Sequence, residues 1–351
     1  HPPPRQRCRP HTNKKQAVHP HGGGPRPRPR PPPPAPLFCE IFVLSRENLA
    51  LRKKICYNGD NMDAVRVNAY AKVNLTLDIV GAEGGYHALD SLVATIALHD
   101  RVVARRRRDG RVAVRMYGMG SGRIPPERNN AQLAAERFCA HFSAGGADIA
   151  VYKKIPIGGG LGGSSADAAG VLKALAALYA VSDMGALKSI ADGLGSDTGY
   201  LLTGGFARMQ GRGERITPLE GLPVLHLLIA CPRRGVSTPL CFRTYDELGA
   251  NYPPRTEAVL GAFRAGDMAR AAALMDNDLF GAAAHCNPDV ASALAALREL
   301  SPLGAGMTGS GSACFAVFGD AARAAAAAKS FRGGFRLIQT RTVDPSAQGG
   351  Q

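Results

Sequence analysis

KKIPIGGGLGGSSADAAG, residues 153–170, runs from a strand-like alternation through five glycines in six positions into an alanine-rich helical pattern. Glycine lets backbone N–H groups approach an anion without obstruction from Cβ, and the helix that follows presents the positive end of its dipole. Pro156 stiffens the entry. Ser164 and Ser165 stand where they can cap the helix, donate to phosphate oxygens or hold a metal ion's water. Gly158, Gly160 and Gly163 satisfy a loose G-x-G-x-x-G, but a dinucleotide fold needs a second strand ending in an acid about 20 residues on. Asp183 lies at that distance and ends a helical pattern instead. The Gly-Lys-Ser/Thr that closes a Walker loop is missing too. What remains is a phosphate cradle made of Pro156, Gly158, Gly159, Gly160, Leu161, Gly162, Gly163, Ser164 and Ser165.

Outward from the loop, ADIAVYKKIPI alternates as a strand before it, and Val171, Leu172, Leu175, Leu178 and Tyr179 line one broad face of the helix after it. Upstream, NNAQLAAERFCAHF has helical spacing with Asn129 as its cap. VRVNAYAKVNLTLDIV from Val65 reads as one or two strands, and YHALDSLVATIAL, HDRVVARRRR and GRVAVRMYG read as further strands separated by glycine and charged turns. The arginines Arg105 to Arg108 read as a solvated strand end. Downstream, MGALKSIADGL is a short helix, and GSDTGYLLTGGFARMQGRGERITPL reads as strands punctuated by glycine. After it come a buried strand LHLLIACP, a Pro/Gly-rich connection and two alanine-rich helical stretches, around Ala258 to Leu279 and Asp289 to Leu300. A second glycine loop with its strand, GAGMTGSGSACFAVFGD, follows, and then a helix and a last strand, FRLIQTRTV. The order places a second α+β domain from about residue 216.

Nine of the fifteen net positive charges sit in residues 1–62, so the remainder is only mildly basic. The first 38 residues carry about half of the 25 prolines and show no apolar periodicity. They are expected to be disordered. The division expected is therefore a non-native or mistranslated extension over 1–61, with Met62 as the natural start, a nucleotide-binding domain over 62–215 and a second domain over 216–345. Eight cysteines without a C-x-x-C pair read as buried apolar residues of a reducing cytoplasm. No stretch reads as a membrane span. The basic tail, lacking interleaved aromatics, gives no expectation of specific nucleic-acid recognition, although an RNA-binding protein is the alternative of another class.

Three segments in order resemble the motifs of the GHMP kinase superfamily: AYAKVNLTLDI, PIGGGLGGSSA and GMTGSGSACFAVF. The resemblance implies an α+β fold of two domains, the first like ribosomal protein S5 domain 2 and the second ferredoxin-like, and an ATP-dependent kinase of a small alcohol acting with Mg2+ as monomer or homodimer. Within the superfamily, AKVNLTL at Ala71–Leu77, GYHALDS at Gly85–Ser91 and GVSTPLCF at Gly235–Phe242 are similar to a branch whose substrate is a cytidine diphosphate-linked methylerythritol. Homoserine kinases are the nearest rival. GSDTGY at Gly195–Tyr200 keeps that branch's acid but has Thr198-Gly199 where Val-Pro is usual, and Ser164 replaces a glycine that many members carry.

Phosphoryl transfer asks a protein to hold an alcohol in line with the γ-phosphate and to stabilise spreading negative charge. The resemblance assigns Asp197 as acceptor of the hydroxyl proton and Lys72 as the lysine that pairs with it and attracts the γ-phosphate. Asn74 shares a strand face with Lys72 and is assigned to the sugar alcohol. Tyr86, His87 and Phe242, with Thr238, are assigned to substrate, the aromatic rings to the cytosine base. Asn129 and Lys153 are candidates for the ATP base pocket, and Asn129 equally well caps its helix.

Overall fold

The computed structural model describes residues 38–45, 48–56, 64–124 and 129–345. Within the leading segment, expected to be disordered, β1 (Phe38–Ser45) and β2 (Asn48–Cys56) pair antiparallel with each other, as their apolar and β-branched content allows. The rest of residues 1–61, and Met62 with them, lies outside the described residues.

The alternation from Val65 becomes β3 (Ala64–Asn74) and β4 (Asp78–Glu83). Both pair with one 21-residue strand, β5 (Tyr86–Arg106), in place of the separate strands expected there. His99 and Asp100, expected at the start of a separate strand, lie in the interior of β5. Asp100 is fully buried, and its Oδ1 accepts from the backbone N–H groups of Lys154 and, at 2.8 Å, Ile155. With β6 (Val112–Gly118), β7 (Ala147–Lys153), β8 (Phe206–Gly211) and β9 (Arg215–Leu219) these make a seven-stranded sheet in which β7 and β8 flank β5.

Behind the sheet lie α1 (Asn130–Phe142), α2 (Gly163–Tyr179), α3 (Met184–Asp192) and α4 (Ser196–Thr203). Helix α2 is buried on nearly every side, beyond the single face its spacing suggests, because α1 and α4 close over what the sheet leaves open. Helix α4 replaces an expected strand, so Asp197 sits in a helical first turn.

The second sheet has the order β11 (Gly304–Met307), β12 (Cys314–Phe318), β10 (His226–Cys231), β13 (Arg336–Arg341), all antiparallel. Between β10 and β11 stand five helices, α5 (Thr238–Leu248), α6 (Thr256–Arg264), α7 (Met268–Ala273), α8 (Phe280–Cys286) and α9 (Asp289–Arg298), and α10 (Ala321–Ser330) precedes β13. Helix α5 occupies part of the expected Pro/Gly connection, its proline falling in the first turn where no N–H is needed. Leu227, Ile229 and Phe315 of this sheet share a buried apolar cluster with Val73 and Leu172 of the first half.

The seat of α2 depends on Gly170. A Cβ there would lie 2.8 Å from Ala69 Cβ and 2.9 Å from Val102 Cγ2, so the helix meets the sheet backbone-close. Gly170→Ala is expected to lose about 1–2 kcal/mol, since overpacking of about 1–3 kcal/mol exceeds a helix-propensity gain of up to about 1 kcal/mol. Denaturant unfolding measures this, and an unchanged midpoint would show that α2 has room to move.

Candidate active site

The glycine loop leaves β7 at Lys153 and enters α2 at Gly163, with Gly158, Gly160 and Gly162 at φ of about 70°. Gly162 is the N-cap, and no side chain caps the helix. The hydroxyls of Ser164 and Ser165 therefore do not cap α2; they line the cleft. At Gly160 a Cβ would come 2.1 Å from the backbone oxygen of Thr308, part of the second glycine loop. The two loops are laced together. Ala313 N donates to Gly159 O at 3.1 Å, and Thr308 Oγ1 donates to Gly160 O at 3.2 Å. Asn277 braces the second loop by donating its amide to Met307 O and Gly309 O, at 2.9 and 2.8 Å. Leu161 is buried and its carbonyl accepts from Lys72 N at 3.1 Å, tying the first loop to β3.

Lys72, 4 % exposed, donates Nζ to Asn74 Oδ1 at 2.5 Å and stands 3.3 Å from Asp197 Oδ2. Strand periodicity puts Lys72 and Asn74 on one face, as expected. Asn74 also donates Nδ2 to Ser91 Oγ at 2.8 Å, and its backbone N–H to Thr308 Oγ1 at 2.9 Å. Its side-chain amide is thus committed at both ends inside the protein. Helix α4 forms around Asp197 despite the Thr-Gly replacement, with Thr198 N donating to Gly195 O at 2.9 Å.

Lys153 is 5 % exposed and lies between two buried carboxylates, Asp100 and Asp167, the latter at 2.5 Å. Its ammonium is spent on this pair, which binds the end of β7 to β5 and to Asp167 near the start of α2. Burial pushes the Asp167 carboxyl up to about 7, against the pull of Lys153 and with the help of Asp100. Asn129 caps α1, its Oδ1 accepting from Ala131 N at 3.1 Å, and both Asn129 and Lys153 border the cleft.

The cleft has a volume of about 640 Å³ and joins the glycine loop and Pro156 to Lys72, Asn74, Asp197, Thr238 and Phe242. Thr238, in the first turn of α5, shares a hydrogen bond with Ser310 of the second loop at 2.7 Å. Phe242 lies one turn further along and stacks on His87, with ring centroids 4.8 Å apart. His87 Nε2 meets Asp246 Oδ1 at 2.7 Å. Tyr86 is more than half exposed, and its ring is covered by the Arg212 guanidinium at 3.8 Å. Neither Tyr86 nor His87 lines the cleft itself. Sequence reasoning missed Asp100, Asp167, Ser91, Thr308, Arg212 and Asp246. Asp167 in the SSADAA run, Ser91 at the end of GYHALDS and Thr308 in GMTGSGSACFAVF stood within motifs; Asp100, Arg212 and Asp246 did not.

A glycine cradle at a helix start, a second glycine loop laced to it and a Lys–Asp pair in the same cleft define the GHMP class of small-molecule kinases. The family model for the GHMP kinases N terminal domain matches residues 129–204, and that for GHMP kinases C terminal matches residues 259–336. A 4-diphosphocytidyl-2-C-methyl-D-erythritol kinase of Cutibacterium acnes is 35% identical over 303 residues, spanning 82% of this chain and 96% of its own. One from Streptomyces coelicolor is 36% identical over 294 residues, spanning 82% and 98%. A crystal structure of a 4-(cytidine 5'-diphospho)-2C-methyl-D-erythritol kinase superposes with a TM-score of 0.66 at 34% identity, over 80% of this chain and 100% of that one. The chain belongs to the 4-diphosphocytidyl-2-C-methyl-D-erythritol kinase family. A homoserine kinase from Cytophaga hutchinsonii shares the fold, with a TM-score of 0.62 at 19% identity over 82% of this chain and 97% of its own.

Two outcomes are expected. Gly160→Ala combines a left-handed φ with a collision at Thr308 O, so it should separate the loops and weaken ATP binding by at least about tenfold, read by calorimetric titration. An unchanged affinity would mean the loops do not hold each other. For Asp167 the folded-state pKa lies above the unfolded value, so the native state holds the extra proton between about pH 4 and 7. Its contribution to stability is complete below that window and lost as pH rises through it. The fall in Tm between pH 5 and pH 8 should be smaller in Asp167→Asn than in the parent, and equal falls would contradict the assignment.

Proposed function

We propose that this chain transfers the γ-phosphoryl group of ATP to the 2-hydroxyl of 4-diphosphocytidyl-2-C-methyl-D-erythritol. The observation that carries the reading is the Lys72–Asp197 pair, 3.3 Å apart in the cleft beside the glycine loop of a chain of this family. The loop's N–H groups and the start of α2 bind the phosphate chain. Asp197 accepts the hydroxyl proton as the substrate oxygen bonds to the γ-phosphorus and the bond to the β-phosphate oxygen breaks, releasing ADP. Lys72 attracts the γ-phosphate, and Asn74, braced by Ser91 and Thr308, positions Lys72 for that task.

Mg2+ bound with the nucleotide supplies neutralising charge on the phosphate oxygens. Mg2+ commonly takes only one or two protein donors beside phosphates and water, and the uncapping hydroxyls of Ser164 and Ser165 fit that role. Among the described residues no cluster of three His, Cys, Asp or Glu side chains offers a fuller cage. Thr238 and Phe242 in the lining support reading the α5 side of the cleft as the substrate end, and Tyr86 and His87, beside the lining at the start of β5, would add rings for a cytosine base.

Purified protein should consume ATP with 4-diphosphocytidyl-2-C-methyl-D-erythritol and not with homoserine. Turnover with homoserine alone would reject the reading. Asp197→Asn should lower kcat by about 10²–10⁴ with little change in ATP affinity, the range for a lost general base. Undiminished turnover would remove Asp197 from that role.

A further inference from the structure

Among the described residues, three cationic side chains line the cleft: Lys72, Lys153 and Arg212. Lys72 faces Asp197 and Lys153 is enclosed by Asp100 and Asp167. Among the described residues no carboxylate pairs with the Arg212 guanidinium, whose partner is the ring of Tyr86 at 3.8 Å. Arg212 stands in the tight turn between β8 and β9, where its backbone N–H donates to Glu214 Oε2 at 2.6 Å. Gly211 of that turn pairs with Leu89 of β5, three residues from Tyr86. Gly213 packs against Ser196, next to Asp197. The turn thus bridges the proposed base end of the cleft and its reacting end.

We infer that Arg212 is the residue that recognises the substrate's diphosphate, holding the Tyr86 ring face in the free protein and giving it up to the cytosine base when substrate enters. The inference rests on the cytidine reading given above. A planar guanidinium lying 3.8 Å over a ring occupies the position a stacked base would take. Its fork matches adjacent phosphate oxygens, and an exposed side chain on a turn reorients without moving the sheet. The glycine loop serves the other phosphate chain, that of ATP. The cleft therefore separates two polyphosphates, each with its own donor set.

Displacement gives effects of opposite sign on two ligands. Cytidine must expel Arg212 from Tyr86 and offers no phosphate in return, whereas cytidine 5'-diphosphate repays the expulsion. Calorimetric titration of the full chain with both ligands, and with ATP as a control for folding, separates these terms. In Arg212→Ala the affinity for cytidine 5'-diphosphate should fall about 10–100-fold, the loss of charge-assisted hydrogen bonds, while cytidine binds as well or better and ATP is unchanged. In turnover, KM for the cytidine substrate should rise with KM for ATP constant, and Arg212→Lys should recover only part of the loss. If the wild-type chain binds cytidine 5'-diphosphate and Arg212→Ala binds it equally, Arg212 has no such role and the cytidine reading stands. If Arg212→Ala weakens ATP instead, Arg212 serves the nucleotide phosphates and the inference fails. If the wild-type chain binds neither cytidine ligand, both the inference and the reading beneath it fall.

Discussion

The lacing of one glycine loop onto the other is the constraint on which the rest of the molecule turns. The backbone oxygen of Thr308 occupies the space where Gly160 would carry a Cβ, and the oxygens of Gly159 and Gly160 accept from Ala313 and Thr308. These bonds orient one chain of the cradle so that its amides are left for a ligand. They also join halves whose sheets do not pair with each other. Thr308 then reaches further, accepting from Asn74 N, so the strand that carries Lys72 is registered against the same loop. A movement of either half displaces cradle and lysine together.

Two buried lysines do different work within this frame. Lys153 is held by two carboxylates, an arrangement whose desolvation cost is offset only by close pairing, and it fixes where β7 ends and α2 begins. Lys72 keeps one amide oxygen and one partly exposed carboxylate, so its charge remains directed into the cleft. Burial in the first case produces structure and in the second produces a poised cation. The raised Asp167 carboxyl follows first from burial, with the neighbouring Asp100 adding to it against the pull of Lys153.

Local signals made part of this legible in the sequence. Five glycines before an alanine-rich helix announced an anion site, and the period of two placed Lys72 beside Asn74. The role of Asp100 could not be read along the chain because its partner, Lys153, lies 53 residues away and no local pattern marks a buried acid. Helix α4 was hidden by the glycines on either side of eight residues and by Gly199 within them. Helix α5 was hidden by the proline in its first turn. His87 and Asp246 are 159 residues apart, and the Arg212–Tyr86 contact depends on strand pairing between β5 and β8, so neither could be read along the chain.

The most direct test is a crystal structure of the chain with a non-hydrolysable ATP analogue. The account predicts the triphosphate on the N–H groups of residues 158–165, with its γ-phosphate beside Lys72 and Asp197 and the two glycine loops still bonded. A triphosphate lying away from that loop, or a γ-phosphate remote from Lys72 and Asp197, would contradict it.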